Sequence, residues 1–412
     1  MPKEKLLVSG PVNVVRLSGN IFGINKIIYI FYDVHMFCEY ESSCNDINAL
    51  TITQYLYKEF KNINANDTFY DFFLETFPTG LQYTSNYRDR YLNELRRFFA
   101  QGFSYEKSVD KVAESKVFPK VRLHYIDIRD YLFWDILWNE TGEVKSYLED
   151  IPDVNKAKFC IERVGILLQD LEYVNELVFG KQVPTGGARL IRPLPENRSL
   201  FGKLEVEKAA ALINKIKNNY KHPEIKRMVH TILDDYFRVG IKSAMDKLVS
   251  MIKLLETLEK KLSVKYIEIN PDPAQNVKDM PAFCTHLPYG PNFHVTREIE
   301  NSVNELMDKV SVICKSSSAV IMDAYFIRRF LDKDYVTKSV SYTGGAHSQM
   351  YVHILSKYFD FKITHVSYSK YDIATLNDKI KKIELGYEFD KLFWPPILIQ
   401  CSDLTDFPQN FE

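Results

Sequence analysis

Several features that would assign this sequence to a class at once are scarce. Only six cysteines occur in 412 residues, too few for a disulfide scaffold, so we expect a reduced, intracellular setting. Cys38 and Cys44 are close enough in sequence to pair, and that pairing stays open. Lysine and arginine (53) balance aspartate and glutamate (54), which argues against nucleic acid as the main partner. No apolar run reaches the roughly eighteen residues that span a bilayer, so we expect no transmembrane segment.

The most informative stretch is the apolar run at residues 27–32. Six consecutive apolar residues, rich in β-branched and aromatic types, predict a strand buried on both faces, as in a parallel sheet. Asp33 and His35 follow directly. Because chemistry collects past the carboxyl ends of such strands, this acid and imidazole are the first active-site candidates. The alternative is an Asp33 that caps a turn and a His35 that merely packs.

Other predicted strands also end in ionisable residues or glycines. They contribute Glu75 at the end of 69–75, then Arg122, His124, Asp127 and Arg129 within 121–129, whose first half alternates as a strand does, and finally Gly344, Gly345 and His347 after 336–342. Helical periodicity separates these strands, and the alternation of strand and helix is typical of α/β proteins. The sequence therefore predicts an α/β fold with a mainly parallel sheet flanked by helices and an inserted helical lobe.

Three segments follow from the change of pattern along the chain. Residues 1–144 form the first half of the α/β core, 145–262 the helical insertion, and 263–412 the second half of the core. Two local predictions accompany them: an edge hairpin over 6–17, with its turn at Gly10–Pro11, and a strand at 264–269. The loop at 182–189 has a glycine pair but lacks the Lys-Ser/Thr of a phosphate-binding loop, so we interpret it as a linker.

Two chemistries suit the carboxylates and imidazoles at these strand ends. In one, a divalent cation such as Mn, Zn, Fe or Co polarises a carbonyl and lowers the pKa of a bound water. Its predicted ligands are Asp33, His35, Glu75 and His347. In the other, a histidine activates water as general base and a carboxylate orients it, without a metal.

The remaining candidates have supporting roles, each with a structural alternative. Arg122 or Arg129 would bind a substrate carboxylate or phosphate, or steady the oxyanion. The backbone at Gly344 and Gly345 can approach a substrate closely. His124, on an alternating strand, is more often a satisfied core histidine than a ligand. Asp127 and Arg129 can simply form a salt bridge at a helix start.

The order of the motifs resembles a known superfamily. The order is Asp-x-His at 33–35, Glu75, Arg-x-His-x-x-Asp-x-Arg at 122–129 and Gly-Gly-x-His at 344–347. It resembles that of the erythromycin esterases, ChaN-like haem-binding lipoproteins and TraB/TIKI proteins. The resemblance implies a parallel α/β core with a helical insertion, and activities from ester hydrolysis to metal-dependent peptide cleavage. The same patterns resemble uncharacterised proteins of large DNA viruses that infect amoebae.

The expected function is therefore a hydrolase that cleaves an ester or amide bond in a small molecule or peptide. The competing hypothesis is a catalytically silent virion or host-interaction protein that retains the fold. Phosphoester chemistry is a weaker third interpretation, because the Gly-Asp-x-x-Asp and Gly-Asn-His motifs of binuclear phosphoesterases are absent. If the protein is viral, we expect it in the host cytoplasm or the virion.

Overall fold

The fold consists of two compact units. The computed structural model describes residues 4–63, 68–82, 87–108, 111–132, 134–149, 151, 153–180, 203–269, 293–384 and 387–412. The first unit comprises Met1–Asp130, Asn218–Ile232 and Met322–Glu412, and the second comprises Tyr131–Lys217 and Leu233–Ile321. The first unit contains the β-sheets, whereas the described elements of the second are helical.

Ten described strands form two sheets in the first unit. They are β1 (Leu7–Ser9), β2 (Asn13–Ile21), β3 (Ile24–Asp33), β4 (Leu50–Thr51), β5 (Tyr70–Leu74), β6 (Val112–Glu114), β7 (Val121–Tyr125), β8 (Lys338–Gly344), β9 (Lys362–Val366) and β10 (Cys401–Asp403). The larger sheet has the order β6-β7-β5-β8-β3-β2-β9, and the smaller sheet has the order β10-β1-β4. The site described below lies on the larger sheet.

The larger sheet is mixed, so the prediction of a mainly parallel sheet was wrong. Strands β7, β5, β8 and β3 are parallel neighbours, but β6, β2 and β9 pair antiparallel. Strands β2 and β3 form a hairpin around Phe22 and Gly23, whose φ angles are 52° and 85°. Two positive φ angles are typical of the tight turns that join antiparallel strands.

The predicted hairpin at Gly10–Pro11 was also wrong. Strand β1 pairs with β10 and β4 in the smaller sheet, whereas β2 pairs with β3 and β9 in the larger one. The two strands that flank Gly10 therefore belong to different sheets. Gly10 has a φ of 131°, a conformation that glycine adopts without strain and that directs the chain from one sheet to the other.

The central buried strand of the larger sheet is β3, which contains the apolar run at residues 27–32. Residues 28–32 of β3 are fully buried, as the apolar run predicted. Strand β8 lies beside it in parallel register, with Phe31 opposite Tyr342. Because both faces of a central parallel strand are covered, its apolar residues do not alternate with polar ones.

Eleven α-helices are described in the two units. They are α1 (Ile52–Ile63), α2 (Arg90–Gly102), α3 (Trp134–Leu148), α4 (Val154–Phe179), α5 (Lys203–Asn218), α6 (Pro223–Ile232), α7 (Val239–Ile269), α8 (Phe293–Leu331), α9 (Gly345–Tyr358), α10 (Ile373–Ile380) and α11 (Tyr387–Phe393). Helix α1 buries Ile52, Tyr55, Leu56 and Phe60, which recur at the spacing of an amphipathic helix. The strand expected at 264–269 is instead the end of α7, since no proline or glycine interrupts the chain between Gly240 and Pro271.

One helix meets the length and composition criteria for a membrane span. Within the described residues, the segment Arg297–Leu331 is long and apolar enough, and 61% of its most apolar window is buried inside the protein. The core helix of a folded unit meets the same criteria, so this helix is weak evidence for membrane insertion.

A disulfide links two distant parts of the first unit. Cys44, in the loop after β3, is bonded to Cys401 at the start of β10, with their Cα atoms 4.8 Å apart. Cys38 is a free thiol, so the Cys38–Cys44 pair that the sequence left open is not formed. The bond fastens the loop beside the candidate site to the carboxyl-terminal part of the chain.

Candidate functional site

The carboxyl ends of the four parallel strands meet at one edge of the larger sheet. Asp33 is the last residue of β3 and lies opposite Gly344, the last residue of β8. Glu75 follows the last residue of β5 directly, and Asp127 lies two residues beyond the end of β7. Because these strands are adjacent and in register, residues separated by about 300 positions in sequence become neighbours.

Glu75 is the centre of the site. Its Oε2 lies 3.6 Å from Nε2 of His35, and its Oε1 lies 3.7 Å from Nε2 of His347. The backbone N–H of Gly344 donates to Oε2 at 2.6 Å, and Arg129 Nη2 donates to Oε1 at 3.3 Å. Burial alone would raise the pKa of Glu75, but the charges of His347, His35 and Arg129 and a hydrogen bond from His35 hold it well below its usual range. Glu75 is therefore an ionised carboxylate between two imidazoles.

His35 lies among three carboxylates. Its Nδ1 is 3.3 Å from Asp89 Oδ1 and 3.4 Å from Asp33 Oδ2, on the side of the ring away from Glu75. Burial lowers the pKa of His35, but hydrogen bonds to Asp89 and Glu75 and the charges of Glu75 and Asp33 raise it to about 11. At neutral pH His35 is consequently an imidazolium, and its side chain is 30% exposed.

His347 repeats this arrangement on the other side of Glu75. It lies in the first turn of α9, and its Nδ1 is 2.7 Å from Oδ1 of the buried Asp323. Burial lowers the pKa of His347, but the charges of Asp323 and Glu75 outweigh burial and raise it. The side chains thus form a chain in which carboxyl and imidazole groups alternate: Asp89, His35, Glu75, His347 and Asp323. We call these five residues the Asp–His–Glu–His–Asp chain.

Asp33 differs from Glu75 in its protonation. Tyr342 donates its hydroxyl to Oδ1 at 2.9 Å, whereas the buried Oδ2 has no hydrogen-bond partner in the described parts of the chain. Burial raises the pKa of Asp33 to about 6, although His35 and Tyr342 act in the opposite direction. Of the carboxylates near His35, Asp33 has a pKa close to neutral pH.

Asp127 and Arg129 form a salt bridge that also contacts the site. Arg129 donates to both carboxylate oxygens of Asp127, at 2.9 and 2.7 Å. The same guanidinium donates to Glu75, so the structural and functional interpretations of this pair are compatible. The Arg129 side chain is 44% exposed, which leaves part of it open to solvent.

The two glycines after β8 are required by close packing. A Cβ atom on Gly344 would lie 2.7 Å from Nε2 of His35, and one on Gly345 would overlap the ring of Trp394. The Gly344 N–H donates to Glu75. The structure therefore places Gly344 against the catalytic candidates, with its N–H already in use within the site.

Arg122 and His124 lie within β7 and belong to a separate cluster. Arg122 donates to both oxygens of the fully buried Asp71, and His124 Nε2 lies 2.7 Å from Asp71 Oδ1. Arg329 donates to His124 Nδ1 at 2.9 Å. Burial, together with the charges of Arg329 and Arg122, lowers the pKa of His124 to about 4 despite Asp71. These contacts are those of a neutral core histidine.

This second cluster is not brought together with Glu75. Asp71 precedes Glu75 by four positions, which is about 13 Å along an extended strand. Arg122 and His124 occupy the strand itself, whereas Asp127 and Arg129 follow its end. The structure therefore separates the predicted set Arg122, His124, Asp127 and Arg129 into two pairs, of which the second pair lies at the site.

The sequence did not reveal the outer carboxylates. Asp89 has φ 58° and ψ 49°, a left-handed conformation that aspartate tolerates better than most residues. It precedes α2, yet its side chain makes no capping hydrogen bond to that helix and contacts His35 instead. Asp323 lies on α8, 24 positions before its partner. The unusual role of Asp89 shows only in its left-handed backbone conformation and not in its sequence neighbourhood.

The predicted divalent metal stays a prediction. Over the part of the chain that the structure describes, no group of three or more His, Cys, Asp or Glu side chains is arranged to hold a metal ion. The two Glu75 oxygens each face a different imidazole.

Comparison with known proteins identifies the family. A family of unknown function (DUF5847) matches residues 6–412. The chain belongs to this family. Similar proteins of Acanthamoeba polyphaga mimivirus include uncharacterized protein R706, 31% identical over 98% of this chain and 97% of its own length, and uncharacterized protein R161, 30% identical over 100% and 99%. No solved structure matches the chain. The relatives are viral, and their names record no activity.

Proposed function

We propose that this DUF5847 protein is a hydrolase that cleaves an ester or amide bond at the Asp–His–Glu–His–Asp chain. The observation that carries the proposal is the convergence of buried, oppositely charged groups at the carboxyl ends of four parallel strands, where α/β proteins bind ligands. Groups with strongly shifted pKa values concentrate at functional sites. Here Glu75, His35 and Asp33 are shifted in different directions.

His35 is assigned the role of proton donor and oxyanion partner. Its side chain is 30% exposed, whereas those of Asp33 and Glu75 are 2% and 3% exposed. A substrate carbonyl can therefore reach the imidazolium more readily than the buried carboxylates. A positioned cation stabilises the negative charge that develops on the carbonyl oxygen when water attacks. Glu75 keeps the imidazole protonated.

Asp33 is assigned the role of general base. Among the described residues its buried Oδ2 accepts no hydrogen bond and lies 3.4 Å from His35 Nδ1, and its pKa of about 6 makes it an ionised but sufficiently basic group at neutral pH. It would take the proton of the attacking water. Activity should therefore rise with pH through about 6, as Asp33 loses its proton, and fall towards about 11, where His35 loses its own.

We also propose kinship with the erythromycin esterase, ChaN-like and TraB/TIKI superfamily. The support is the order of the motifs together with the position of Asp33, His35, Glu75 and His347 at one sheet edge. The proposed substrate is a small molecule or peptide, and the proposed location is the host cytoplasm or the virion.

The test is a panel of ester and peptide substrates assayed with wild type, Glu75→Gln and a control, Glu114→Gln. Glu114 is an exposed residue of β6 in the same unit. We expect turnover in wild type and the control, and at least a hundredfold loss in Glu75→Gln, because loss of a charge-stabilising group costs about that much. Equal rates in all three proteins would reject this site.

The catalytically silent alternative is favoured by one observation. Several polar groups of the site already satisfy one another, including the Gly344 N–H with Glu75 and Arg129 with Asp127. A scaffold that has lost its substrate would retain such contacts. Absence of turnover across the panel, together with detection of the protein in purified particles by mass spectrometry, would favour this alternative.

A further inference from the structure

Arg96, on helix α2, is half-buried, but few of its N–H donors make hydrogen bonds with the described residues. Its Nη1 donates to Asn93 Oδ1 at 3.3 Å, and within the part of the chain that the structure describes its buried Nε has no hydrogen-bond partner. Among the described residues, no carboxylate forms an ion pair with it within 4 Å. A desolvated guanidinium without a counterion is costly, because burying a charge is offset only by pairing.

Two other arginines of the first unit, Arg122 and Arg129, are paired with carboxylates. Arg122 makes a bidentate pair with Asp71, and Arg129 makes one with Asp127. Arginine is suited to bind carboxylate or phosphate because its donors form a planar fork. Arg96 therefore has donor capacity that the described part of the chain leaves unused.

The position of Arg96 places this capacity beside the site. Asp89 immediately precedes α2, and Asn93 and Arg96 follow it by four and seven positions, so the three residues share one helix face. Asp89 contacts His35, and the side-chain oxygen of Asn93 accepts a hydrogen bond from the Arg96 guanidinium. Burial lowers the pKa of Arg96, and the charges of Asp89, Asp127 and Glu75 raise it, as expected for a cation within range of the cluster.

We propose that Arg96 binds an oxyanion group, carboxylate or phosphate, of the molecule that occupies this site. The inference rests on the proposed function in one respect: it names the charge class of the substrate of that hydrolase. A substrate with one anionic end would place that end on the free donors of Arg96 and its scissile carbonyl near His35. Binding of the anion itself requires no turnover and can be measured separately.

The first experiment titrates the full-length protein with inorganic phosphate or acetate, against sodium chloride at equal ionic strength. The readout is the ¹H–¹⁵N signal of the Arg96 Nε–H, assigned by its loss in Arg96→Met. The matched control is Arg97→Met, which changes the same residue type at the next, exposed position of the helix. Arg96→Lys keeps a charge without the fork and serves if the methionine variant does not fold.

We expect phosphate or acetate, but not chloride, to shift the Arg96 signal in wild type and in Arg97→Met. Isothermal titration calorimetry, which does not depend on the Arg96 signal, should give a dissociation constant about tenfold or more higher in Arg96→Met and raised to a smaller extent in Arg96→Lys, as expected for loss of a charged hydrogen bond. A signal that neither anion moves, or an equal loss of affinity in Arg96→Met and Arg97→Met, would overturn the proposal. Phosphate and acetate together distinguish the two kinds of oxyanion.

A second arm separates this inference from the hydrolase proposal. Paired esters with and without a carboxylate are compared in the substrate panel. Arg96→Met should raise KM about tenfold for the anionic ester and leave the neutral ester unchanged. Anion binding without turnover of any ester would reject the hydrolase and retain the anion site, whereas turnover that is equally insensitive to Arg96→Met for both esters would reject the anion site alone.

Discussion

The pKa of His35 is the most direct experimental test of the site. Three carboxylates lie close to its ring: Asp89 at 3.3 Å, Asp33 at 3.4 Å and Glu75 at 3.6 Å. Burial opposes protonation, but these carboxylates raise the pKa from 6.5 to about 11. A rise of about 4.5 corresponds to about 6 kcal/mol in favour of the imidazolium, at about 1.36 kcal/mol for each pKa unit.

Glu75→Gln removes one of these charges and preserves the shape of the side chain. Because one nearby opposite charge changes a pKa by about one to three units, we expect His35 to titrate lower by about that amount in the variant. The measurement is an NMR titration of ¹³Cε1-labelled histidines, with His35 assigned by its loss in His35→Gln. Glu114→Gln is the control. A wild-type His35 that titrates near 6.5, or identical curves in wild type and Glu75→Gln, would refute the reasoning.

The raised pKa of His35 also predicts how the free energy of unfolding depends on pH. Since the folded pKa of His35 lies above its unfolded value, its stabilisation is complete below about pH 6.5 and disappears as the pH rises through about 11. The difference in unfolding free energy between wild type and Glu75→Gln should therefore shrink by about 1 to 4 kcal/mol over that window for His35 alone. Urea denaturation at both ends of the window measures it.

Four further substitutions, of which Gly142→Ala is the control for Gly344→Ala, test the surroundings of the site and the fold. Gly344→Ala should displace the His35 ring, because the new methyl group would lie 2.7 Å from Nε2. It should lower the free energy of unfolding by about 1 to 3 kcal/mol. Gly142→Ala, on a helix with open space around the new methyl group, should raise that free energy by about 0.5 to 1 kcal/mol. Asp71→Ala should cost about 3 to 5 kcal/mol, since it leaves buried cationic and imidazole partners unpaired. Cys401→Ser should cost about 2 to 4 kcal/mol without reductant and little with it.

For each of these predictions, one experimental result would contradict it. A His35 NMR signal unchanged by Gly344→Ala would mean that the imidazole does not pack on that glycine. A cost below about 1 kcal/mol for Asp71→Ala would place the Asp71 cluster among exposed ion pairs, for which Asp308→Ala at the exposed Lys145–Asp308 pair is the reference. Equal effects of Cys401→Ser with and without reductant would mean that the disulfide is not formed.

The strands of the site could be predicted because their signal is local. Residues 27–32 are consecutive apolar residues, and 338–344 end at a glycine pair, so each strand and its end are visible within about ten residues. The meeting of Asp33, His35, Glu75 and His347 then follows from parallel pairing. The antiparallel neighbours β2, β6 and β9 could not be predicted in the same way, because strand direction depends on the path of the intervening chain.

Asp89 and Asp323, the partners of His35 and His347, could not be predicted because they are distant in sequence from these histidines. Asp89 reaches His35 only because the backbone of the loop after β3 pairs with the residues before α2, through Asp89 N–H to Met36 O and Cys38 N–H to Tyr87 O. No local pattern records such a contact. His124 is different: its alternation with apolar neighbours places it inside a strand, and that pattern already favours a core role over one at the strand end.

The strand order of the larger sheet constrains how the chain can fold during synthesis. Strand β8, at residues 338–344, lies between β5 and β3, both of which are made within the first 74 residues. Until the ribosome has passed residue 344, these two early strands lack the neighbour that joins them, and their unpaired edges are open to aggregation. The larger sheet is therefore completed only after β8 has been made, and fragments that end before residue 338 lack the strand that joins β5 to β3.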